Sequence, residues 1–333
     1  MNNIYINSVK QISAQHPLVD DWFENPIFHN EPFIRAIDPD YKQFFTPNEA
    51  RRFGKILKRA LLASRQAMEE SHVSLPEAII TGTGLGCIEN TEIFLNKLLL
   101  EGEQLLNPTH FMQSTHNTIS SLIAIDTKCH AYNSTYAHKG ISFECALQDA
   151  FLQLKNDEIT TALVGAHDEM TPVYFSLLKK IAYLGKTNQT FAGEAAVAMM
   201  LSTKKNERTL CKIEAVDKIY SNNIQNYFTN AEFKDIDYVM IGVNGDPETD
   251  DTYFNNCEYL LPGIPLLQYK NIFGESYSAS ALGVYAAALC LQREIIPEHL
   301  KISKTQASHK KPHKILCYNH FENKNHTFVL LSK

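Results

Sequence analysis

The amino-acid sequence predicts an α/β fold built from two similar βα halves. Short apolar runs, typical of buried strands, alternate along the chain with longer segments whose apolar residues recur at helical spacing. A similar order of strands and helices returns between residues 237 and 331, which favours internal duplication, although no clear sequence repeat accompanies it. The 333 residues are enough for one large core or two medium cores.

The elements of the first half follow from local patterns. Residues 4–9 predict a strand, and residues 127–140 predict an irregular stretch. A long helix is predicted to begin after Thr46, because Thr46 and Glu49 form a capping-box pattern and Pro47 suits the first helical position; its apolar spacing continues to residue 71. The remaining predicted elements are strands at 78–81, 160–165, 193–201 and 211–216, and helices near 91–105, 115–125 and 143–154.

The second half is predicted to hold three strands and a helix. The strands are at 237–243, 314–318 and 326–331, and the helix is at 278–291. A charged stretch at 204–208 separates the two halves. We therefore expect an N-terminal half of residues 1–208 and a C-terminal half of residues 209–333 within one compact unit.

Composition and charge exclude several classes of protein. The net charge of −6 argues against a nucleic-acid-binding protein, and no run approaches the 18 apolar residues of a membrane span. The N-terminal segment lacks the basic and apolar regions of a secretory signal. The seven cysteines are odd in number and contain no CxxC pair, which argues against a disulfide framework or a zinc site. We expect a cytoplasmic protein without a metal or other cofactor.

Five blocks of sequence resemble, in order, the β-ketoacyl-ACP synthase family. The blocks are similar to its first long helix, the strand and turn at its dimer face, the helix before its nucleophile, its "GEGA" strand and its "KSxxGH" region, and they lie at residues 50–68, 81–86, 111–125, 193–196 and 270–283. The resemblance covers most of the chain. It implies a thiolase-like fold, in which two duplicated βα halves form a layered αβαβα arrangement.

The resemblance also implies a catalytic triad of one cysteine and two histidines, and this chain departs from all three. Counting back along the helix from Ala146 places the nucleophile at Gly140. Asn244 stands for the first histidine and Glu275 for the second, and the threonines that hold pantetheine in the family are missing. Three other family positions are retained: Lys270, Phe321 and Asn325.

The loss of the whole triad predicts a catalytically silent subunit. The sequence resembles chain-length factors and the related subunits of aryl-polyene and flexirubin-type pathways, which pair with an active β-ketoacyl-ACP synthase. We therefore expect a heterodimer with such an enzyme, formed through residues 130–138 and the helix 115–125, in which this chain shapes the partner's acyl tunnel. A carboxylate at Glu275 would repel a malonyl carboxylate rather than assist its decarboxylation.

The same resemblance suggests two sets of contact residues. Residues near the helix 115–125 would close the end of the partner's tunnel; they are Phe111, Met112, Gln113, His116 and Ser120. Basic residues near a helix start would dock an acyl carrier protein; they are Arg51, Arg52 and Lys55. The alternatives are ordinary interface packing for the first set and a solvated helix face for the second. Cations near a helix N-terminus interact unfavourably with the helix dipole, which is a small indication that these basic residues have a role other than stabilising the helix.

Two alternative functions remain open at the level of sequence. One is an active acyl-transfer or decarboxylating enzyme with a displaced nucleophile, for which Cys129 and Cys145 are the candidates. The other is a homodimeric protein that binds acyl groups or an acyl carrier protein.

Two further motifs do not indicate ligand sites. The loop 82–86 lacks the last glycine of a dinucleotide-binding fingerprint, because Cys87 occupies that position, and this argues against nucleotide binding. The acidic cluster at 246–251 does not fit a calcium loop and is interpreted as a solvated loop.

Overall fold

The computed structural model describes most of the chain. The described residues are 2–103, 106–181, 183, 191–221, 224, 233–302 and 310–333. They contain ten strands and ten α-helices. The strands are β1 (Ile4–Ile12), β2 (Ala78–Gly82), β3 (Tyr132–Tyr136), β4 (Thr161–Asp168), β5 (Ala195–Ser202), β6 (Cys211–Tyr220), β7 (Tyr238–Ile241), β8 (Leu266–Gln268), β9 (Lys314–Phe321) and β10 (Asn325–Ser332).

The helices alternate with the strands. They are α1 (Pro47–Arg52), α2 (Lys55–Ser71), α3 (Ile88–Glu101), α4 (Pro108–Gln113), α5 (Thr118–Thr127), α6 (Ser142–Lys155), α7 (Pro172–Lys180), α8 (Pro247–Leu260), α9 (Lys270–Phe273) and α10 (Ser280–Arg293). None of the helices in the described parts of the chain has the length and apolar character needed to cross a bilayer.

The sheet consists of two runs of strands with the same plan. The strand order is β3-β2-β4-β5-β1-β6-β10-β9-β7-β8. In the first run, β2 is parallel to its neighbours β3 and β4, and β5 is antiparallel to β4 and β1. The second run repeats this plan: β7 is parallel to its neighbours β8 and β9, and β10 is antiparallel to β9 and β6. The runs meet where Ile4–Ile6 of β1 pair with β6. This repeated topology agrees with the duplication that the sequence suggested.

Three hydrophobic cores show a layered arrangement. One core lies between the two sheet runs and contains the buried faces of α6 and α10. A second core packs α2 and α5 on the outer face of the first run, and a third packs α8 on the outer face of the second run. The order is therefore helices, strands, helices, strands, helices. Burying one large apolar side chain in such a core stabilises the fold by roughly 1.5–3 kcal/mol.

The central helix α10 can be buried on nearly all sides because its side chains are small. Its sequence is rich in alanine and includes Gly283. A Cβ built on Gly283 would lie 2.7 Å from Cε1 of Tyr269, so a larger residue there would separate the layers. Short side chains at this position let the helix approach the second run of the sheet, and that approach places the residues before α10 beside the cavity described below.

Several predicted boundaries were wrong. The single helix predicted after Thr46 is two helices, because α1 ends at an extended Phe53 and Gly54 caps α2; the capping box of Thr46 and Glu49 is present. The stretch predicted as irregular contains β3, and the predicted helix 115–125 begins only at Thr118. Helices α7 and α8 and strand β8 were not predicted. Their sequences lack a strong apolar period, and packing decides their structure.

Candidate functional site

The three positions that stand for the triad line one cavity. Gly140, Asn244 and Glu275 all border a cavity of about 220 Å³ between the two halves of the fold. Gly140 follows β3, Asn244 follows β7, and Glu275 follows α9. Residues that follow the carboxyl ends of parallel strands gather at one edge of a sheet, and here the two runs bring two such edges together. The sequence-selected positions thus meet in space.

A largely buried ion pair joins Lys270 to Glu275, the position predicted to stand for the second histidine. Lys270 Nζ donates to Glu275 Oε2 at 2.6 Å, and Asn244 Nδ2 donates to the same oxygen at 2.8 Å. The side chain of Lys270 is 7% exposed and that of Glu275 is 16% exposed, so the pair is held largely away from solvent. These contacts give each polar group a partner. The carboxylate of Glu275 therefore lines the cavity as a negative group, and it cannot donate a hydrogen bond to an acyl oxygen.

An aromatic ring lies against Gly140, the position predicted for the nucleophile. A Cβ built on Gly140 would lie 2.5 Å from Cδ2 of Phe321, which is closer than real Cβ contacts come. The carbonyl of Gly140 accepts a hydrogen bond of 2.9 Å from Asn319 Nδ2, which fixes the backbone there. Phe321 in turn contacts Tyr183 and Tyr277, with ring centroids 6.5 and 6.1 Å away. This wall occupies space that a thiol would need.

A buried carboxylate that sequence analysis missed lies beneath the cavity. Glu144 on α6 is 2% exposed and accepts hydrogen bonds from Asn319 Nδ2 and Thr327 Oγ1, both at 2.9 Å. Burial raises the pKa of Glu144, partly opposed by these bonds. Asn319 Oδ1 accepts from the hydroxyl of Tyr253 at 2.9 Å, so the chain of bonds joins α6 to β9 and α8. An acidic residue on an otherwise buried helix face was its signal in the sequence.

His320 also lines the cavity. The sequence analysis did not select it as a site residue. Its Nε2 lies 3.0 Å from the carbonyl oxygen of Thr249, and burial lowers its pKa to about 3. The imidazole is therefore neutral near pH 7. With Nε2–H donating to Thr249, it is held in one orientation.

The C-terminal family segment is a tight hairpin rather than an open loop. Phe321 and Asn325, both retained family positions, face each other across β9 and β10. Glu322 and Asn323 form the turn with φ of 55° and 54°. Two left-handed residues are the pattern of a hairpin turn whose twist matches that of the strands. The turn therefore supplies a sharp reversal without a glycine, and it places Glu322 among the residues that line the cavity.

The acidic cluster at 246–251 forms a helix start and not the solvated loop that was predicted. Asp246 is the N-cap of α8, and its side chain accepts from the backbone N–H of Glu248. Asp250 accepts from the backbone N–H groups of Asn244 and Gly245 at 2.9 and 3.0 Å. Asp246 thus satisfies an N–H group that the helix N-terminus leaves free, and Asp250 binds the backbone of the segment just before the helix. Within the described residues, no group of three or more metal-ligating side chains is placed to hold a metal ion.

The cysteines are unsuited to act as displaced nucleophiles. All seven are buried and free of disulfides, and none is among the described residues that line the cavity. Cys129 Sγ donates to the carbonyl oxygen of Pro76 at 3.2 Å. Cys145 lies 3.4 Å from Lys218 Nζ, and burial raises its pKa. A reactive thiolate needs a lowered pKa and access to substrate, and neither cysteine combines the two.

The tunnel-gate candidates are not among the described residues that line the cavity, and Ser120 alone is shown to contact β3. Phe111 and Met112 on α4 are 56% and 67% exposed. His116 is exposed beside Gly86, and Gln113 Nε2 donates to the carbonyl oxygen of Arg52. Ser120 is different: it is fully buried, and its hydroxyl lies 2.6 Å from that of Thr135 on β3. Four candidates therefore share a surface, while Ser120 lies beneath it.

The docking candidates are exposed at the junction of α1 and α2. Arg51 and Arg52 end α1, and Lys55 begins α2. The expected conflict with a helix dipole is therefore wrong for the two arginines, because cations are favoured at a helix C-terminus. Arg51 donates to Asn48 Oδ1 at 2.8 Å and to the carbonyl oxygen of Pro47. These local bonds orient one guanidinium but leave the three charges at the surface.

Comparison with known proteins identifies the family. Residues 28–235, more than half of the chain, match the model of the N-terminal domain of β-ketoacyl synthases. The chain belongs to the β-ketoacyl synthase family. No curated protein matches its sequence.

Solved structures share the fold of this β-ketoacyl synthase family member at low sequence identity. "The ishigamide ketosynthase/chain length factor" matches with a TM-score of 0.81 and 13% identity, over 100% of this chain and 99% of that one. A β-ketoacyl synthase from Burkholderia phymatum matches with a TM-score of 0.79 and 12% identity, over 100% of both chains. The ketosynthase ApeO with its chain length factor ApeC, from Xenorhabdus doucetiae, matches at 0.77 and 13%, over 99% and 98%. The thiolase-like fold expected from the sequence is confirmed.

Proposed function

We propose that this chain is a non-catalytic subunit of the chain-length-factor type, which pairs with an active β-ketoacyl-ACP synthase and shapes its acyl tunnel. The observation that carries the proposal is the cavity itself. At its three family positions lie Gly140 under the ring of Phe321, Asn244, and Glu275 in an ion pair. No cysteine is among the described residues that line the cavity, and neither Asn244 nor Glu275 supplies an imidazole; the one imidazole in the described lining, that of His320, is neutral and bonded to Thr249. Losing all of these groups together removes the chemistry as a unit.

An exposed sheet edge supports pairing with a second protein. β3 is the end strand of its run, and among the described residues no strand covers its outer edge. The opposite end of the sheet is protected, because Lys301 bridges to Leu267 and the N–H of Ile302 donates to the carbonyl oxygen of Leu266. Open edges of this kind are templates for pairing with another chain. The interface would therefore be a continuous sheet through β3, flanked by α5.

Exposed apolar side chains on helices of the first half support an interface there. Ile125 on α5, which packs against β3, is 73% exposed, Met112 on α4 is 67% exposed, and Leu99 on α3, which packs against α4, is 80% exposed. Large exposed apolar groups that form a contiguous patch are typical of protein–protein contact sites. The proposed partner would cover them, and its acyl tunnel would end against α4. The name of one matched structure describes a ketosynthase bound to its chain length factor, which is the arrangement proposed for this chain.

Co-expression with an active β-ketoacyl-ACP synthase from the same organism tests the proposal. We expect a one-to-one complex by size-exclusion chromatography and mass measurement, with the ketosynthase insoluble or inactive alone. Ile125→Asp should abolish the complex, while Ile295→Asp should leave it intact, because Ile295 is 57% exposed but follows α10 in the other half. A stable homodimer with no affinity for the ketosynthase would support the homodimeric binder instead. Condensing activity of the chain alone would support the displaced-nucleophile enzyme.

A further inference from the structure

Asn244 and Gly245 form the only Asn-Gly pair in the sequence. The side-chain amide of an asparagine in such a pair is open to attack by the backbone nitrogen of the next residue, because glycine has no Cβ to hinder the approach. The attack closes a cyclic imide and releases ammonia, and asparagine is accordingly one of the thermolabile residues of proteins. Asn244 is therefore the asparagine of this chain with the greatest intrinsic tendency to deamidate.

The attacking nitrogen is held by a carboxylate in the folded chain. The backbone N–H of Gly245 donates to Oδ2 of Asp250 at 3.0 Å, and the backbone N–H of Asn244 donates to Oδ1 of Asp250 at 2.9 Å. The reaction requires the nitrogen of Gly245 to lose its proton. A negative group that accepts a hydrogen bond from this nitrogen opposes the loss. Asp250 therefore keeps the nucleophile of the reaction protonated and occupied.

The side chain of Asn244 is held at both ends of its amide. Its Nδ2 donates to Oε2 of Glu275 at 2.8 Å. Its Oδ1 accepts from the backbone N–H of Asp246 at 2.9 Å and from the hydroxyl of Thr249 at 3.3 Å. Ring closure moves Cγ of Asn244 toward the nitrogen of Gly245, and this movement breaks these bonds. The reaction therefore needs a locally opened state in which the start of α8 separates from the loop before it.

We propose that Asn244 is a deamidation site whose reaction is suppressed by Asp250 in the folded chain and proceeds when the start of α8 opens. The nitrogen of Gly245 loses its proton and bonds to Cγ of Asn244, while the bond from Cγ to Nδ2 breaks and Nδ2 leaves with that proton as ammonia. Water then opens the imide. Cleavage between the ring nitrogen and Cγ gives aspartate, and cleavage at the backbone carbonyl carbon gives isoaspartate. Water is the only co-reactant, and nothing is oxidised or reduced.

The products would change the wall of the cavity. An aspartate at position 244 would place a carboxylate against Oε2 of Glu275, where an amide donor now lies at 2.8 Å, and the like charges would repel each other. An isoaspartate would lengthen the backbone by one atom just before Asp246, the N-cap of α8. The glycine that permits the reaction is also required by the fold, because Gly245 has a φ of 90°. The chemistry of this loop does not depend on pairing with a ketosynthase, so either proposal can fail without the other.

Peptide mapping by mass spectrometry tests the proposal on the full chain. The wild-type protein is incubated folded and in urea at the same mildly alkaline pH, and aspartate and isoaspartate at position 244 are quantified over time. We expect the folded chain to deamidate there at least about tenfold more slowly than the unfolded chain, because only locally opened molecules react. Equal rates in the two states would overturn the proposal.

Substitution of Asp250 separates its effect from general protection by the fold. Asp250→Ala should raise the rate at position 244 in the folded chain several-fold, because it frees the nitrogen of Gly245. The matched control, Asp251→Ala, removes the exposed carboxylate one position further along α8 and should leave the rate unchanged. Each rate is divided by that of the same variant in urea, which removes effects on intrinsic reactivity.

A second variant keeps the test decisive if Asp250→Ala does not fold. Asp250→Asn retains the shape of the side chain and removes its charge, and we expect it to raise the rate in the same direction. Circular dichroism establishes which variants are folded. Equal normalised rates for the folded Asp250 and Asp251 variants would contradict the role of Asp250.

Discussion

The ring of Phe321 lies where a side chain on Gly140 would have to be. A Cβ built on Gly140 falls 2.5 Å from Cδ2 of Phe321, 3.1 Å from its Cγ and 3.2 Å from its Cβ. The conflict therefore involves the fixed base of the ring and not only its far edge. Phe321 is held at the end of β9 by pairing with Asn325, so the ring has little freedom to move aside. Phenylalanine at position 321 therefore requires glycine at position 140.

Restoring a thiol should therefore fail to restore the enzyme. We expect Gly140→Cys to yield no condensation product and to lower the free energy of unfolding by about 1–3 kcal/mol, the usual cost of overpacking. Urea denaturation of Gly140→Ala, Phe321→Ala and the double variant measures the coupling. Because the two residues touch, the double variant should be more stable than the sum of the single effects predicts. Strict additivity would show that the ring moves aside freely.

The ion pair of Lys270 and Glu275 should be costly to break on one side. Glu275→Gln leaves a buried ammonium without its counter-charge, and we expect a loss of about 3–5 kcal/mol in urea denaturation. Lys270→Met with Glu275→Leu removes both charges and should recover most of that loss. If Glu275→Gln alone changes the free energy of unfolding by less than about 1 kcal/mol, the pair is solvated and contributes little.

Much of the fold could be predicted because its strongest patterns are local. The capping box at Thr46 and the apolar spacing of α6 each depend on nearby residues, and both were found. Helix α8 was missed because its first turn is acidic and its apolar side is narrow. Its start is fixed by Asp246 and by Asp250, which bind backbone groups in space. A solvated loop and a helix N-terminus look alike in such a sequence.

Only the site residues that correspond to motifs of the family could be predicted from the sequence. The positions Gly140, Asn244 and Glu275 came from motif spacing, and the structure places them around one cavity. Glu144 and His320 were not selected, because their importance comes from burial and from partners on other elements. Such contacts join residues more than 70 positions apart, beyond any local pattern. The chain-length role and the domain boundary at residue 208 stay predictions.

Two adjacent buried acids should make the stability of the fold decrease as the pH rises from about 4 to about 7. Asp168 and Glu169 follow one another at the end of β4, and burial raises their pKa values to about 6 and about 7. A raised folded-state pKa favours the protonated acid, so this stabilisation is complete below the unfolded pKa of about 4 and is lost as the pH passes 6–7. The buried histidines His167 and His320 act oppositely below pH 6.5, where unfolding lets them gain protons.

The Glu169→Gln variant isolates one of these acids. It keeps an acceptor for the backbone N–H of Glu89, which Glu169 binds at 3.0 Å. The wild type should lose stability relative to this variant between pH 5 and pH 8, by at most about 1.4 kcal/mol per pH unit for one proton. Urea denaturation at several pH values measures the difference. A constant difference across that range would contradict the raised pKa of Glu169.

Charge reversal tests acyl carrier protein docking at the end of α1. We expect Arg51→Glu with Arg52→Glu to weaken binding of the acidic carrier protein to the complex by roughly tenfold at low ionic strength, and less at high salt. Both arginines are exposed, so stability should change little. Lys179→Glu with Lys180→Glu, at the exposed end of α7, is the matched control. Similar losses for both pairs would indicate a diffuse charge effect rather than a docking site.

Bulk on α4 should set the length of the partner's product. Phe111 and Met112 are exposed on α4, against which the partner's tunnel is proposed to end. If their side chains close the acyl tunnel, Phe111→Ala should shift products of the co-expressed pair toward longer chains, and Met112→Trp toward shorter ones. Each two-carbon extension needs room for two more methylene-sized groups, so a change of one aromatic ring should move the distribution by one or two extensions. Mass spectrometry of the carrier-bound products measures it.

The control for this prediction is Thr109→Ala on the same helix. Thr109 is exposed on α4 but carries no large apolar group, so its truncation should leave product length unchanged. A general disturbance of the interface would lower the product yield without making the products consistently longer or shorter. Opposite shifts in product length for Phe111→Ala and Met112→Trp, with complex formation unaffected, would therefore support the tunnel-end role. Unchanged product length in both variants, with the complex intact, would place the end of the tunnel elsewhere.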